Sequence, residues 1–238
     1  MKNLVTRLFV IAVTPAISIA FAVYLSDRYD REPIGLLLKT FIFGALSILP
    51  TIVFEKFFMY LNVFGGTLGI VFTSFIVAGF TEEFFKREIV LRIVYKNSNF
   101  DEKLDGIVYA IFSALGFATV ENIMYVVFRF GYNPYVGVYR GVLSVPAHAI
   151  FAVTMGYYLS LAKFSKDKAS ERHYLKKSLY MPVILHGVFD FILMAKIPIL
   201  AGLFIPYVIY IWWINQKKLN HYMHESKLKY DRLNDRKE

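Results

Sequence analysis

Two adjacent glutamates, Glu82 and Glu83, follow an apolar stretch, residues 68–80, that is otherwise fit to lie in lipid. Carboxylates within such a segment cost a few kcal/mol each, so a chain that keeps two of them is expected to use them. On a helix, Lys86 lies four residues after Glu82 and Arg87 four residues after Glu83, so each acid could meet a base on its own face. The motif therefore predicts either a functional carboxylate pair or two structural ion pairs near a helix end.

Three further apolar segments carry polar side chains: Glu121 with Asn122, His148, and His186 with Asp190. Glutamate and histidine together can activate a water, because one takes its proton while the other orients it or stabilises charge. His186 and Asp190 are one helical turn apart and share a face. Asp190 could then fix the tautomer of His186 and leave the other ring nitrogen to bond an oxyanion. Each group alone could be a buried residue whose hydrogen bonds are made within the protein. Acids and histidines in four apolar segments, including that of Glu82 and Glu83, favour one shared site.

The chain that must position these groups is strongly apolar. Of its 238 residues, 57% are hydrophobic, against about 45–50% in soluble domains. The excess lies in blocks of roughly 20 residues, which as helices can cross a hydrocarbon core of about 30 Å. The sequence therefore predicts an all-α, polytopic transmembrane helical bundle with about seven (six to eight) membrane-spanning helices.

The predicted spans are residues 4–25, 34–54, 67–95, 105–128, 141–162, 178–195 and 199–213. The first resembles a signal peptide, but further spans follow it, so we interpret it as a retained helix. Residues 55–66 are either a surface stretch or an extension of a neighbouring helix. Residues 163–177 form a basic loop. We predict an integral membrane domain, residues 1–215, and a charged cytoplasmic tail, residues 216–238.

The net charge of +9 is unevenly distributed. With seven spans, eighteen basic residues lie on the side of the C-terminus and six on the side of the N-terminus. Basic loops beside apolar spans are typical of a cytoplasmic face, not of nucleic-acid binding, so we expect a multi-pass protein of the cell membrane with a cytoplasmic C-terminus. The absence of cysteine excludes disulfides, cysteine metal sites and a cysteine nucleophile.

Spacing also predicts the depth of the polar groups. At 1.5 Å per residue, Glu121 and His148 each lie about 10 Å inside the outer ends of their predicted spans, and His186 about 15 Å. These similar depths predict a hydrated cavity open to the extracytoplasmic side.

The pattern resembles the PrsW intramembrane proteases, which are related to the CAAX prenyl endopeptidases and the bacteriocin-processing enzymes. The resemblance covers residues 29–200. It rests on Glu82-Glu83-Phe84-Phe85-Lys86-Arg87, on Gly116-Phe117-Ala118 with Glu121-Asn122, on Pro146-Ala147-His148-Ala149, and on His186 four residues before Asp190.

The resemblance implies site-1 cleavage of a membrane-anchored anti-sigma factor, a single-span protein, which releases a stress-response sigma factor after further proteolysis. It implies that Glu82 or Glu83, with His148, activates the water without a metal or other cofactor. His186, with Asp190, would stabilise the tetrahedral intermediate. Adjacent helical residues point about 100° apart, so only one glutamate is expected to be the base, and the choice stays open. The supporting residues would be Lys86, Arg87, Glu121, Asn122 and Asp190.

Three other hypotheses fit the same residues. A metal-dependent membrane protease could use the two histidines and the glutamates as a zinc site, although the histidines lack the His-Glu-x-x-His spacing. A transporter could use the groups as a proton relay, but that class favours inverted repeats and the sequence contains none. A non-catalytic membrane scaffold would bind a partner helix.

Overall fold

The computed structural model describes residues 2–235, and within that range the chain is helical without strands. The elements, in chain order, are α1 (Lys2–Ser26), α2 (Ile34–Leu46), α3 (Ile48–Leu61), α4 (Gly66–Phe72), the π-helical segment π1 (Thr73–Phe80), α5 (Thr81–Ile93), α6 (Lys103–Ile123), the π-helical segment π2 (Met124–Arg129), α7 (Pro134–Val142), α8 (Ser144–Lys163), α9 (Lys168–Ala195) and α10 (Pro198–Asn234).

These elements join into seven helical segments that are long and apolar enough to cross a membrane. This finding confirms the predicted all-α, multi-pass architecture and its span count. The ambiguous residues 55–66 prolong the second span as far as Leu61. A short turn follows, in which the Asn62 Nδ2 donates a hydrogen bond to the Gly69 carbonyl at 3.0 Å.

Two predicted boundaries were wrong, and for the same reason. Helix α9 begins at Lys168, inside the predicted basic loop, where Asp167 caps it by accepting a hydrogen bond from the Ser170 amide at 2.8 Å. Helix α10 passes the predicted end at residue 213 and continues to Asn234. Lysine, arginine and glutamate are good helix formers, so leaving the hydrocarbon does not end a helix.

The predicted tail, residues 216–238, thus begins as part of α10, and its residues 236–238 lie outside the described range. Tyr222, on this extension, is 1% exposed and belongs to the main core with Leu159 of α8.

Helix α6 is the centre of the bundle and packs against α1, α2 and α8. Glycines permit the closest approaches. A Cβ on Gly116 of α6 would lie 2.0 Å from the Phe41 carbonyl oxygen of α2, and one on Gly156 of α8 would lie 2.2 Å from the Gly106 carbonyl oxygen of α6. In membranes, where lipid is as apolar as a side chain, such close backbone packing is a main source of helix association. It fixes α6 and α8, which carry Glu121 and His148.

Candidate active site

The two glutamates occupy the first turn of α5, directly after π1. Wide π-helical turns are rare and often mark functional sites. Both carboxylates contact a single base: the Lys86 Nζ lies 2.9 Å from the Glu82 Oε2 and 2.9 Å from the Glu83 Oε1. The predicted pairing of Glu83 with Arg87 is wrong. The Arg87 side chain turns to α9, where it donates to the Ser178 Oγ at 2.8 Å and the Leu175 carbonyl at 2.9 Å.

Lys86 is fully buried and also fixes the protonation pattern of His148. Its Nζ lies 2.9 Å from the Nδ1 of that imidazole, and 4.4 Å from the ring centroid of Phe117. An ammonium can only donate, so the Nδ1 accepts and the ring proton is on the Nε2. The His148 Nε2 then donates to the Glu121 Oε2 at 3.0 Å.

His186 lies between two carboxylates. Its Nδ1 is 3.0 Å from the Glu83 Oε1, and its Nε2 is 3.5 Å from the Asp190 Oδ2. The ring stacks on Phe151 with centroids 5.1 Å apart. We expected Asp190 to orient the imidazole, but the shorter contact is with Glu83. The Nδ1–H therefore donates to Glu83, and the Nε2 remains as the nitrogen beside Asp190.

Glu121 is held by Arg140, which lies one residue before the predicted fifth span and was not among the predicted site residues. The Arg140 Nη2 lies 2.9 Å from the Glu121 Oε2, and its Nε donates to the Asn122 Oδ1 at 3.1 Å. Asn122 in turn donates from its Nδ2 to the Ala12 carbonyl of α1 at 2.8 Å. Asn122 thus supports Arg140 and not the glutamate pair. The sequence did contain a signal for this pair: Arg140 directly precedes the predicted fifth span, and Glu121 lies within the fourth.

A cavity of about 760 Å³ lies beside this cluster. It is lined by Glu82, Glu121, His148, His186 and Asp190, whereas Glu83 does not line it. The other lining residues are mostly apolar and include Ile48, Ile52, Met124, Phe151, Phe189 and Leu193. The two adjacent glutamates therefore differ: Glu82 faces the cavity, and Glu83, 1% exposed, faces Lys86 and His186.

Glu55 of α3 also lines the cavity and was not among the predicted site residues. Its segment, residues 55–66, was the one whose location the sequence left ambiguous, so its carboxylate could not be assigned to the bundle interior.

Glu82, Glu83, His148 and His186 bring possible metal ligands together. One ligand atom from each lies within 4.8 Å of the others, and carboxylate and imidazole are zinc ligands. The Lys86 Nζ, however, already lies 2.9 Å from the nearest atom of three of these side chains. A dication at the centre of the set would meet this ammonium at close range and be repelled. With Lys86 in this position, the donor set does not fit a metal ion.

The chain matches known proteins over most of its length. The sequence profile described as "PrsW family intramembrane metalloprotease" matches residues 32–214. The protein named Protease PrsW from Clostridioides difficile is 45% identical over 222 residues, covering 92% of this chain and 93% of that protein. Protease PrsW from Bacillus subtilis is 38% identical over 206 residues, covering 87% and 91%. No solved structure gives a significant match. The chain belongs to the PrsW family of intramembrane proteases.

Proposed function

We propose that the chain hydrolyses a peptide bond of a single-span membrane protein by glutamate-activated water, with Glu82 as the general base. One observation carries this assignment: of the two adjacent glutamates, Glu82 lines the cavity and Glu83 does not. A base must reach the water whose proton it takes. Glu83, with contacts to Lys86 and His186, is a positioning residue.

In the first step Glu82 takes a proton from water, and the oxygen forms a bond to the substrate carbonyl carbon. The negative charge that develops on the carbonyl oxygen requires a donor. His186 fits this role when both nitrogens carry protons. Its Nδ1–H bonds to Glu83 at 3.0 Å, and its Nε2–H, which has only the longer 3.5 Å contact with Asp190, can bond an oxyanion in the cavity that His186 lines. In the second step the C–N bond breaks, and the proton held by Glu82 passes to the leaving amine.

The remaining polar residues hold these two in place. Lys86 links Glu82, Glu83 and His148 through three contacts of 2.9 Å. Arg140 and Glu121 fix the far side of the His148 ring. His148 is linked to Glu82 through Lys86, which contacts both side chains at 2.9 Å, and it lines the cavity where the water must lie.

We further propose that the substrate is a membrane-anchored anti-sigma factor, cut at site 1 in a stress response, and that the enzyme lies in the cell membrane. The support for the anti-sigma factor is the motif resemblance, and the position of the cavity inside a bundle of membrane-spanning helices supports a membrane-anchored substrate. The names of the relatives identify them as proteases and do not state a substrate.

The test is a cleavage assay with the purified, reconstituted chain and a tagged single-span anti-sigma factor. Wild type should produce one N-terminal and one C-terminal fragment, and Glu82→Gln should produce neither. Cleavage of an unrelated single-span protein at the same rate would remove the proposed substrate but leave the protease. Full cleavage by Glu82→Gln would remove the proposed base.

The same preparation tests the role of metal. Elemental analysis should find no stoichiometric zinc, and activity should persist in a chelator. One zinc per chain, lost in His148→Ala, would instead establish a zinc centre and displace Lys86 from the role assigned here.

A further inference from the structure

Two lysines from different helices converge on one tyrosine at the end of the bundle opposite the cavity. Lys177 of α9 and Lys218 of α10 each place the Nζ 5.8 Å from the ring centroid of Tyr158 of α8. Tyr174 stacks on the same ring, with centroids 6.5 Å apart. Aromatic faces attract ammonium groups, but two like charges at one ring also repel each other.

Neither lysine has an anionic partner among residues 2–235. The Lys218 Nζ donates to the Thr154 Oγ1 at 2.9 Å and to the Asn215 Oδ1 at 3.2 Å, and both acceptors are neutral. Lys177 makes no hydrogen bond or ion pair within the described range, and both side chains are half-buried. Partly desolvated charges without counter-charges are costly, so the pair is arranged to receive an anion.

The aromatic residues nearby set this site at the level of lipid headgroups. Trp212 and Trp213 of α10 are 55% and 51% exposed, and the charged extension of the helix begins within one turn of them. Tyr180 of α9 is also exposed, one turn from Lys177. Exposed tryptophan and tyrosine mark the membrane–water interface. An anion between Lys177 and Lys218 would therefore lie where phospholipid phosphates lie.

We infer that Lys177, Lys218 and Tyr158 form a binding site for the phosphate of an anionic phospholipid. The phosphate oxygens accept hydrogen bonds from both ammonium groups, and the acyl chains lie along exposed apolar residues such as Ile184 and Ile209. The headgroup bridges α8, α9 and α10. It thereby joins α8 and α9 at the end opposite the cavity. These are the helices that carry His148 and His186.

The chain has two tryptophans, both at this level, which supply a local signal. The full chain is reconstituted in phosphatidylcholine with increasing fractions of phosphatidylglycerol whose acyl chains are brominated, and quenching of Trp212 and Trp213 gives the relative binding constant. A basic residue near an anionic surface contributes about 1 kcal/mol, or about 5-fold in binding. Lys177→Gln with Lys218→Gln should lower the preference for phosphatidylglycerol by about 30-fold.

The matched control is Lys176→Gln with Lys227→Gln, which removes the same charge from an exposed lysine on each of the same two helices. Its preference should stay near that of wild type. Equal losses in the two double variants would mean general surface attraction and would overturn the site. Because Lys218 belongs to a hydrogen-bond network, Lys177→Gln alone is also measured, and it should lose about 5-fold.

A last arm separates a lipid phosphate from a free one. Inorganic phosphate is added at constant ionic strength to the wild-type chain in the same bilayers. An unchanged preference supports a lipid ligand. Loss of the preference at millimolar phosphate would assign the two lysines to a soluble phosphate and overturn the lipid site.

Discussion

At the scale of single residues, Lys86 gives the two glutamates different roles. Its ammonium lies between both carboxylates and the Nδ1 of His148, so each acid has one oxygen committed to it. Glu83 uses the same oxygen to hold the His186 Nδ1, whereas Glu82 still lines the cavity. A buried cation that is shared in this way stabilises ionised carboxylates inside the bundle.

We therefore expect Glu82→Gln and Glu83→Gln to differ in the rate of substrate cleavage. Glutamine cannot take a proton, so Glu82→Gln should lose the contribution of a general base, about 10²–10⁴-fold. Glu83→Gln keeps the base and weakens only the placement of Lys86 and His186, so its loss should be smaller. The measurement is the single-turnover rate constant of the reconstituted chain.

The control for this comparison is Glu88→Gln on the same helix. Glu88 pairs with the exposed Arg92 at 3.1 Å and with Arg87 at 3.5 Å, and it neither lines the cavity nor contacts Lys86, so its replacement should leave the rate near that of wild type. Equal and mild losses at positions 82 and 83 would instead support a pair of structural ion pairs.

The second prediction at this scale concerns His186. If its Nε2–H bonds the oxyanion, His186→Ala should lower the rate constant by about 10²–10³-fold, as for the loss of other oxyanion donors. The unfolding midpoint should fall, because the buried ring stacks on Phe151, but the variant should remain folded and bind substrate at the assay temperature, which separates this effect from misfolding. Wild-type turnover by the variant would remove His186 from the site.

At the scale of elements, the sequence was sufficient to bring the right spans together but not to pair their side chains. Ionisable groups within apolar spans face the bundle interior, which places Glu82, Glu121, His148 and His186 in one cluster. Helix geometry, however, allows Glu83 either a base at i+3 or one at i+4. Which base pairs with Glu83 depends on α9, because Arg87 donates a hydrogen bond to Ser178 of that helix and is directed away from Glu83.

Helix ends were predicted less well than helix interiors, also for a physical reason. Hydropathy predicts where a helix leaves the hydrocarbon core of the membrane, not where the helix ends. Helices α9 and α10 extend beyond the core because their charged residues favour helix. Arg140 was missed on the same ground. A charge at the end of a span was counted as part of a loop, although its long side chain reaches Glu121 inside the bundle.

The turn between α1 and α2 allows a prediction about pH. Glu32 is buried there and accepts a hydrogen bond from Tyr109 of α6, with Asp27, Asp101 and Asp105 nearby. Burial raises the pKa of Glu32 from 4.5 to about 7 and that of Asp27 from 3.8 to about 6. The folded state therefore binds more protons than the unfolded state between these values, and stability falls as pH rises through them.

We expect the unfolding midpoint of wild type in detergent to decrease from about pH 4.5 to about pH 7 through these groups. Glu32→Gln should flatten this slope, because the amide does not titrate, while Asp27 retains a share of it. Asp231→Asn, which changes an exposed carboxylate of α10, should keep the wild-type slope. A slope of opposite sign, or an equal slope in Glu32→Gln, would contradict the role given to Glu32.

At the scale of the whole molecule, the alternation of spans puts the cavity in one half of the bundle. Its lining comes from the second halves of the second, fourth and sixth spans, from the first half of the fifth, and from the middle of the third, which supplies Glu82. In successive antiparallel spans these halves lie at the same end. That end carries six of the basic residues assigned to loops and tail, and the opposite end carries eighteen. The positive-inside rule therefore predicts a cavity that opens away from the cytoplasm.

Single cysteines test this orientation without background, because the chain contains no cysteine. Lys56→Cys and Leu193→Cys place a thiol in the lining of the cavity, whereas Asn99→Cys and Lys166→Cys place one on exposed loops at the opposite end. A membrane-impermeant thiol reagent added to intact cells should label the first two, and the second two only after permeabilisation. Leu193 is 49% exposed and lies two residues before the end of α9, so its labelling reports the mouth of the cavity. The reverse pattern would open the cavity to the cytoplasm, and the substrate would then be cut on the cytoplasmic side of its span.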